Sequence, residues 1–109
     1  MFPYLKTSQK RYIPDYSNVQ TLNFDENYEI SGLGAGIIYI GLRIQADRAD
    51  QNYSIEINGN VVWEYLIFSY DGNVIPFILN GGETIKLNVI NEDWVIKTIK
   101  FIPFKVVSL

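Results

Sequence analysis

Residues 80–89 read NGGETIKLNV, and the glycine pair at their start is compatible with two architectures. Glycines ahead of a charged residue and a threonine occur in phosphate-binding loops and in ordinary turns. A phosphate loop needs a helix directly behind the glycines, so that free backbone amides face the anion. Here Ile85, Leu87 and Val89 alternate with Thr84, Lys86 and Asn88, which is the period of a strand. The Gly-Lys-Ser/Thr signature is also missing, because Lys86 follows Ile85. The stretch is a turn between strands, and the chain is a β protein.

Working outward, GIIYIGLRIQA at residues 36–46 sets Ile38, Ile40, Leu42 and Ile44 on one face and Tyr39, Gly41, Arg43 and Gln45 on the other. That is a half-buried strand. Asn58-Gly59 and Asp71-Gly72 have the chemistry of tight type I′ hairpins. Residues 53–57, 60–70 and 73–79 are therefore predicted to form a three-stranded meander, and Pro76 marks its third strand as an edge or as locally irregular. WVIKTIKFIPFKVVSL, at 94–109, predicts one long strand with a bulge near Lys97 and Thr98, where the alternation slips. TLNF at 21–24 and YEI at 28–30 predict short strands around the acidic residues 25–27, and SGLGAG at 31–36 is a connector. Seven to nine strands at regular spacing imply a single antiparallel β-sandwich, jelly-roll-like, with an OB-like barrel as the alternative.

Composition limits the chemistry. The 109 residues allow one domain, and a 48% hydrophobic, 15% aromatic make-up suits pleated, half-buried surfaces. There is no cysteine and no histidine. Disulfides, thiolate nucleophiles and Cys-based metal sites are excluded, as are His-dependent catalytic triads. A net charge of −3 offers no basic field to nucleic acid or to an anionic membrane. The first residues lack the apolar run of a signal peptide, and nothing reaches the length of a membrane span. A soluble protein without a cofactor is expected.

Hairpin geometry nominates a surface. Across Asn58-Gly59, a regular two-residue loop sets Ile57 opposite Asn60, Ile55 opposite Val62 and Ser54 opposite Trp63. Ile55, Ile57 and Val62 then share the core face, while Trp63, Tyr65 and Ile67 share the other with Ser54, Glu56 and Val61. The same count across Asp71-Gly72 pairs Phe68 with Ile75 and Leu66 with Phe77. A bulge would reverse the faces. The second face is either covered or an aromatic partner surface.

Other candidates have plainer explanations. Asp25, Glu26, Asp47 and Asp50 are calcium-type oxygen ligands without EF-hand spacing, and read as solvated loops. Glu64 is a lone carboxylate on an otherwise apolar strand face, which is no basis for glycoside hydrolysis without a second carboxylate. Lys6, Lys10 and Arg11, with Lys97, Lys100 and Lys105, lie near Tyr4, Tyr12, Phe101 and Phe104, a mixture that suits single-stranded nucleic acid. The negative net charge argues against that use. Residues 1–18, MFPYLKTSQKRYIPDYSN, form an N-terminal arm or first strand ahead of a sandwich at 19–109. A segment this apolar either wraps its own sandwich or docks on a neighbouring subunit.

VIPFILNGGETIKLNV at 74–89, the lack of Cys and His, the Asn/Ile/Tyr-rich make-up and the arm-like start together resemble the small β-sandwiches that viruses and phages use as decoration, spike and jelly-roll capsid proteins. The resemblance implies a non-enzymatic structural protein of a virion surface, acting through subunit contacts. Its partners would be itself, as a trimer or other closed oligomer, and a capsid lattice. Trp63, Tyr65 and Ile67, with Phe2, Tyr4 and Tyr12 of the arm, are the contacts to expect. The strand–Gly–Glu–strand pattern is also similar to that of galactose-binding-like carbohydrate modules. In that alternative Trp63 and Tyr65, or Trp94 near Asn91, stack on a glycan.

Overall fold

The computed structural model describes residues 10–44, 51–67, 72–89 and 95–108, without the side chains at 44, 51–52, 65–67, 72–73, 89 and 95. All of its regular elements are strands: β1 (Lys10–Pro14), β2 (Gln20–Leu22), β3 (Glu29–Ile30), β4 (Gly36–Ile44), β5 (Gln51–Ile57), β6 (Asn60–Ile67), β7 (Gly72–Leu79), β8 (Ile85–Val89) and β9 (Val95–Ser108).

The pairing is nested. β5 pairs with β6, β4 with β7, β3 with β8, and both β1 and β2 with β9, all antiparallel. Together they make one long hairpin. Rolling it up adds the ladders β4–β9 and β5–β8. The result is a five-stranded sheet, β1-β9-β4-β7 with β2 also on β9, and a four-stranded sheet, β3-β8-β5-β6. This is a jelly-roll β-sandwich. The barrel alternative fails, because the strands divide into two sheets.

Alternation builds the core as expected from β4. Ile38, Ile40 and Leu42 are fully buried, with Ile75, Leu79, Ile99 and Phe101 beside them on the larger sheet. The smaller sheet contributes Ile30, Tyr53, Ile55, Ile85 and Leu87. Gly36 sits in this face under the ring of Phe101.

The meander does not form. β7 leaves β6 and pairs with β4, so Ile75 faces Ile40 and Phe77 faces Ile38, and the proposed Phe68–Ile75 and Leu66–Phe77 pairs are replaced. Asp71 lies outside the described residues. Pro76 does fall on an edge strand, since β7 ends the larger sheet. The bulge expected near Lys97 and Thr98 is also absent, and the β4–β9 register runs unbroken from Gly36↔Pro103 to Ile44↔Val95. The alternation slips there for another reason. Lys97 occupies an inward position in line with Ile99, and its ammonium lies 5.1 Å from the centre of the Tyr28 ring, a favourable cation–π distance.

The NGG turn connects β7 to β8, across the two sheets. Gly81 and Gly82 have φ of 118° and 83°, a region that favours glycine. The amides that a phosphate would need are already taken. The N–H groups of Asn80 and Gly81 each donate to the Glu83 carboxylate at 2.7 Å, and Gly82 N–H donates to the Leu33 carbonyl at 2.8 Å. Thr84 N–H donates to Asn58 Oδ1 and Asn58 N–H returns a bond to the Thr84 carbonyl, so this turn between the sheets and the β5–β6 hairpin turn lock together.

Backbone amides hold the Glu83 carboxyl below its ordinary value of 4.5, the Asn80 N–H contributing most. The native protein therefore binds fewer protons there than the unfolded chain, and stability rises with pH in that range. The contribution is present above pH 4.5 and is lost as pH falls through the depressed value. The urea midpoint should drop on acidification from about pH 6 to about pH 3, and Glu83→Gln should drop less. An unchanged slope in the variant would remove Glu83 as a source. Asp15, lowered chiefly by the Ser17 hydroxyl, contributes in the same direction to both proteins.

Candidate functional site

The Asn58-Gly59 hairpin forms, with Ile57 opposite Asn60 and Glu56 opposite Val61. There the register shifts. Val62 is the extra residue of a bulge, and Ile55 pairs with Trp63, Ser54 with Glu64 and Tyr53 with Tyr65. One added residue exchanges the faces beyond it. Trp63 consequently packs against the core, its ring 5.1 Å from that of the buried Tyr53, while Val62 is exposed. Both positions reverse the faces expected from a regular hairpin, and Glu64 moves to the exposed side.

The outer face of the smaller sheet is polar. It presents Glu29 beside Lys86, Lys86 beside Glu56, and Asn88 beside Ser54. Asn88 Nδ2–H donates to Ser54 Oγ at 3.3 Å and to Glu56 Oε2 at 2.9 Å. This is the solvated side usual in an antiparallel sandwich.

The larger sheet departs from that pattern. Its outer face is built in cross-strand rows: Ile78–Ile37–Ile102, then Pro76–Tyr39–Lys100, then Val74–Gly41–Thr98. Val74 and Ile78 are each 71% exposed. Ile102 is only 7% exposed yet lies outside the core cluster, so its cover comes from neighbours on the outer face. Beyond these rows Tyr12, opposite Val106, and Phe104, opposite Pro14, continue the surface. Tyr12 is 64% exposed and, with Phe104, Ala35, Leu79 and Asn80, lines an open groove of ≈ 360 Å³.

Charge follows the same division. The five strands of the larger sheet contain Lys10, Arg11, Arg43, Lys97, Lys100 and Lys105 and no acidic residue. The smaller sheet contains Glu29, Glu56 and Glu64 against Lys86. The basic groups at the two ends of the sequence are brought together because β1 pairs with β9. Three are engaged locally: Lys97 over the Tyr28 ring, Lys100, whose Nζ donates to Thr21 Oγ1 at 2.6 Å, and Lys105, whose Nζ lies 4.0 Å from Asp15 Oδ1.

Of the six residues nominated from the sequence, the structure places Tyr12 on this face and Trp63 against the core. Tyr65 and Ile67 pair with Tyr53 and Gln51 through their backbones, and their side chains lie outside the described residues, as do Phe2 and Tyr4 entirely. Trp94, Asn91, Asp47, Asp50 and Lys6 lie outside them too. Ile37, Tyr39, Val74, Pro76 and Ile78 are not among the residues nominated from the sequence, although IIYI and VIPFIL are apolar at both parities, a pattern of strands covered on both sides.

The acidic turn at 25–27 organises backbone. Asp25 Oδ1 accepts the N–H groups of Asn27 and Glu29 at 2.8 and 3.0 Å. Among the described residues no group of three or more acidic side chains could hold a metal ion, and no helix is long and apolar enough to cross a membrane.

No protein-family model and no curated protein sequence matches the chain. Among solved structures it is similar to the crystal structure of pika GITRL, with a TM-score of 0.54 and 17% identity over 74% of this chain and 76% of that one. It is also similar to a family 35 carbohydrate binding module from Clostridium thermocellum, with a TM-score of 0.40 and 14% identity over 94% of this chain and 100% of that one. The likeness to GITRL is one of fold.

Proposed function

We propose that the chain is a non-catalytic interaction protein whose contacts are made by the outer face of the five-stranded sheet. The observation that supports this is the row structure of that face, where Val74 and Ile78 stand exposed beside Pro76, Tyr39 and Ile37. Contiguous apolar surface of this kind marks a contact site. The setting we propose is structural, a component of a particle surface such as a virion decoration protein, and it rests on the whole-chain resemblance alone. The absence of His and Cys and the engagement of Asp25 and Glu83 in backbone capping support a role without catalysis.

A photo-crosslinking residue at position 78, compared with one at position 86 on the opposite sheet, tests the face. In extract of the producing cells, adducts should form from position 78 and not from 86. Adducts from 86 alone, or from neither, would overturn the assignment.

One feature favours a second reading, a carbohydrate-binding module. Asn80 lines the same groove as Tyr12 and Phe104, and an exposed ring and an amide in one groove suit a sugar's apolar face and its hydroxyls. Under that reading a glycan array should give a signal that Tyr12→Ala abolishes. A blank array would exclude it.

A further inference from the structure

We infer that the occupant of this face is a second copy of the chain, packed face to face about a two-fold axis. The inference rests on the proposed contact face and names its partner. Val74, Ile78, Ile96, Tyr12 and Val106 are exposed on it, and with their half-buried neighbours they present on the order of 800 Å², about what one partner contributes to a stable interface. A two-fold pairing matches one such patch with itself.

Two other ways of joining copies fit less well. Continuing the larger sheet edge to edge would use β7 or the opposite edge of β1 and β2, but Pro76 on β7 has no N–H to donate and β1 and β2 are only five and three residues long, features that blunt edges. Packing head to tail would set the apolar face on the smaller sheet's outer face, where Lys86 is exposed and Glu29, Glu56 and Asn88 are half-buried. Apolar rows would then desolvate charged groups without replacing their hydrogen bonds.

The charges on the face lie around its apolar centre. Arg43 is in the end row with Ile96, Lys10 is two residues beyond Tyr12 on β1, and Lys100 reaches across to β2. An apolar centre with a polar rim is the ordinary layout of an interface. Here all three rim charges are positive, so a face-to-face dimer sets like charges near one another. Screening should strengthen it, since exposed charges interact over a Debye length that shrinks with salt. Packing on the acidic sheet, or on an acidic partner, would weaken with salt instead.

Sedimentation equilibrium of the full chain, at about 50 mM and about 500 mM salt, tests this. The expected result is a dimer whose dissociation constant falls at higher salt. Ile78→Lys and Val74→Lys, both on exposed positions, should each raise that constant at least about tenfold, the equivalent of 1.4 kcal/mol, with circular dichroism unchanged. Val61→Lys, exposed on the smaller sheet, should leave it alone. A single-chain mass throughout, a dimer indifferent to both lysines, or one weakened by salt would overturn the inference. A single-chain mass together with crosslinks from position 78 in extract would overturn only the identity of the partner, and the contact face would stand. Without those crosslinks, both fall.

Discussion

Gly36→Ala should destabilise the protein by about 3 kcal/mol, at the upper end for overpacked cores. A β-carbon at this position would overlap the carbonyl oxygen of Ile102 and come within 2.7 Å of two carbons of the Phe101 ring. Neither obstacle can retreat cheaply. The carbonyl belongs to the backbone of β9, and β4 is held by ladders on both sides, to β7 and to β9. Phe101 is itself buried in the core. Urea unfolding of Gly36→Ala beside Gly34→Ala would isolate the steric effect, because nothing lies within 4 Å of a β-carbon at Gly34. The control should remain within about 0.5 kcal/mol of the parent. Adding Phe101→Leu to Gly36→Ala should recover part of the loss relative to the sum of the single changes, as expected for residues in contact. A loss below about 1 kcal/mol in Gly36→Ala would mean that the two strands slide apart readily.

Trp63→Ala is the second. A tryptophan on an exposed strand face can be truncated for about 0.5 kcal/mol or less. The bulge at Val62 instead sets Trp63 opposite the fully buried Ile55 and against Tyr53, which is 2% exposed. Truncation should therefore cost about 3 kcal/mol, the lower end for large aromatic deletions. Val62→Ala at the exposed neighbouring position should be close to neutral. If the two values come out reversed, the hairpin is regular and the faces are those of the unbulged count.

The contrast between these neighbours shows where the sequence was legible. Asn58-Gly59 announces a turn because Asn58 and Gly59 both take positive φ, 52° and 83°, and few residue pairs do so readily. The bulge three residues on has no such marker, since Val61 and Val62 are equivalent letters for either face. Strand β4 was plain because its alternation is strict over Ile38, Ile40 and Leu42. The Asp71-Gly72 pair has the chemistry of a hairpin, yet β7 pairs with β4, whose residues lie 29 (Arg43↔Gly72) to 43 (Gly36↔Leu79) positions earlier, and no local signal encodes a long-range partner. Lys97 misled in another way, since a lysine at an inward position mimics a slip of register until the Tyr28 ring beneath it is seen. The apolar outer face of the larger sheet is harder to see, because the proline in VIPFIL marks an edge strand and draws attention from its second apolar parity, Val74 and Ile78.

β9 has a consequence for how the molecule comes to exist. It is the partner of β1, β2 and β4, and it follows all three in the chain. Until it arrives, β4 has a ladder on one side only, and the two short strands have none. Nested pairing also means that each successive ladder outside β5–β6 closes a longer loop. Closing long loops before their contacts form slows folding. Acquisition of the native state should therefore be a late, largely all-or-none event on the millisecond-to-second scale of non-local β topologies, with β5–β6 the one hairpin among the described residues able to form early. During synthesis, β4 can pair with β7, but its other edge stays open until the 14 residues of β9 have been made.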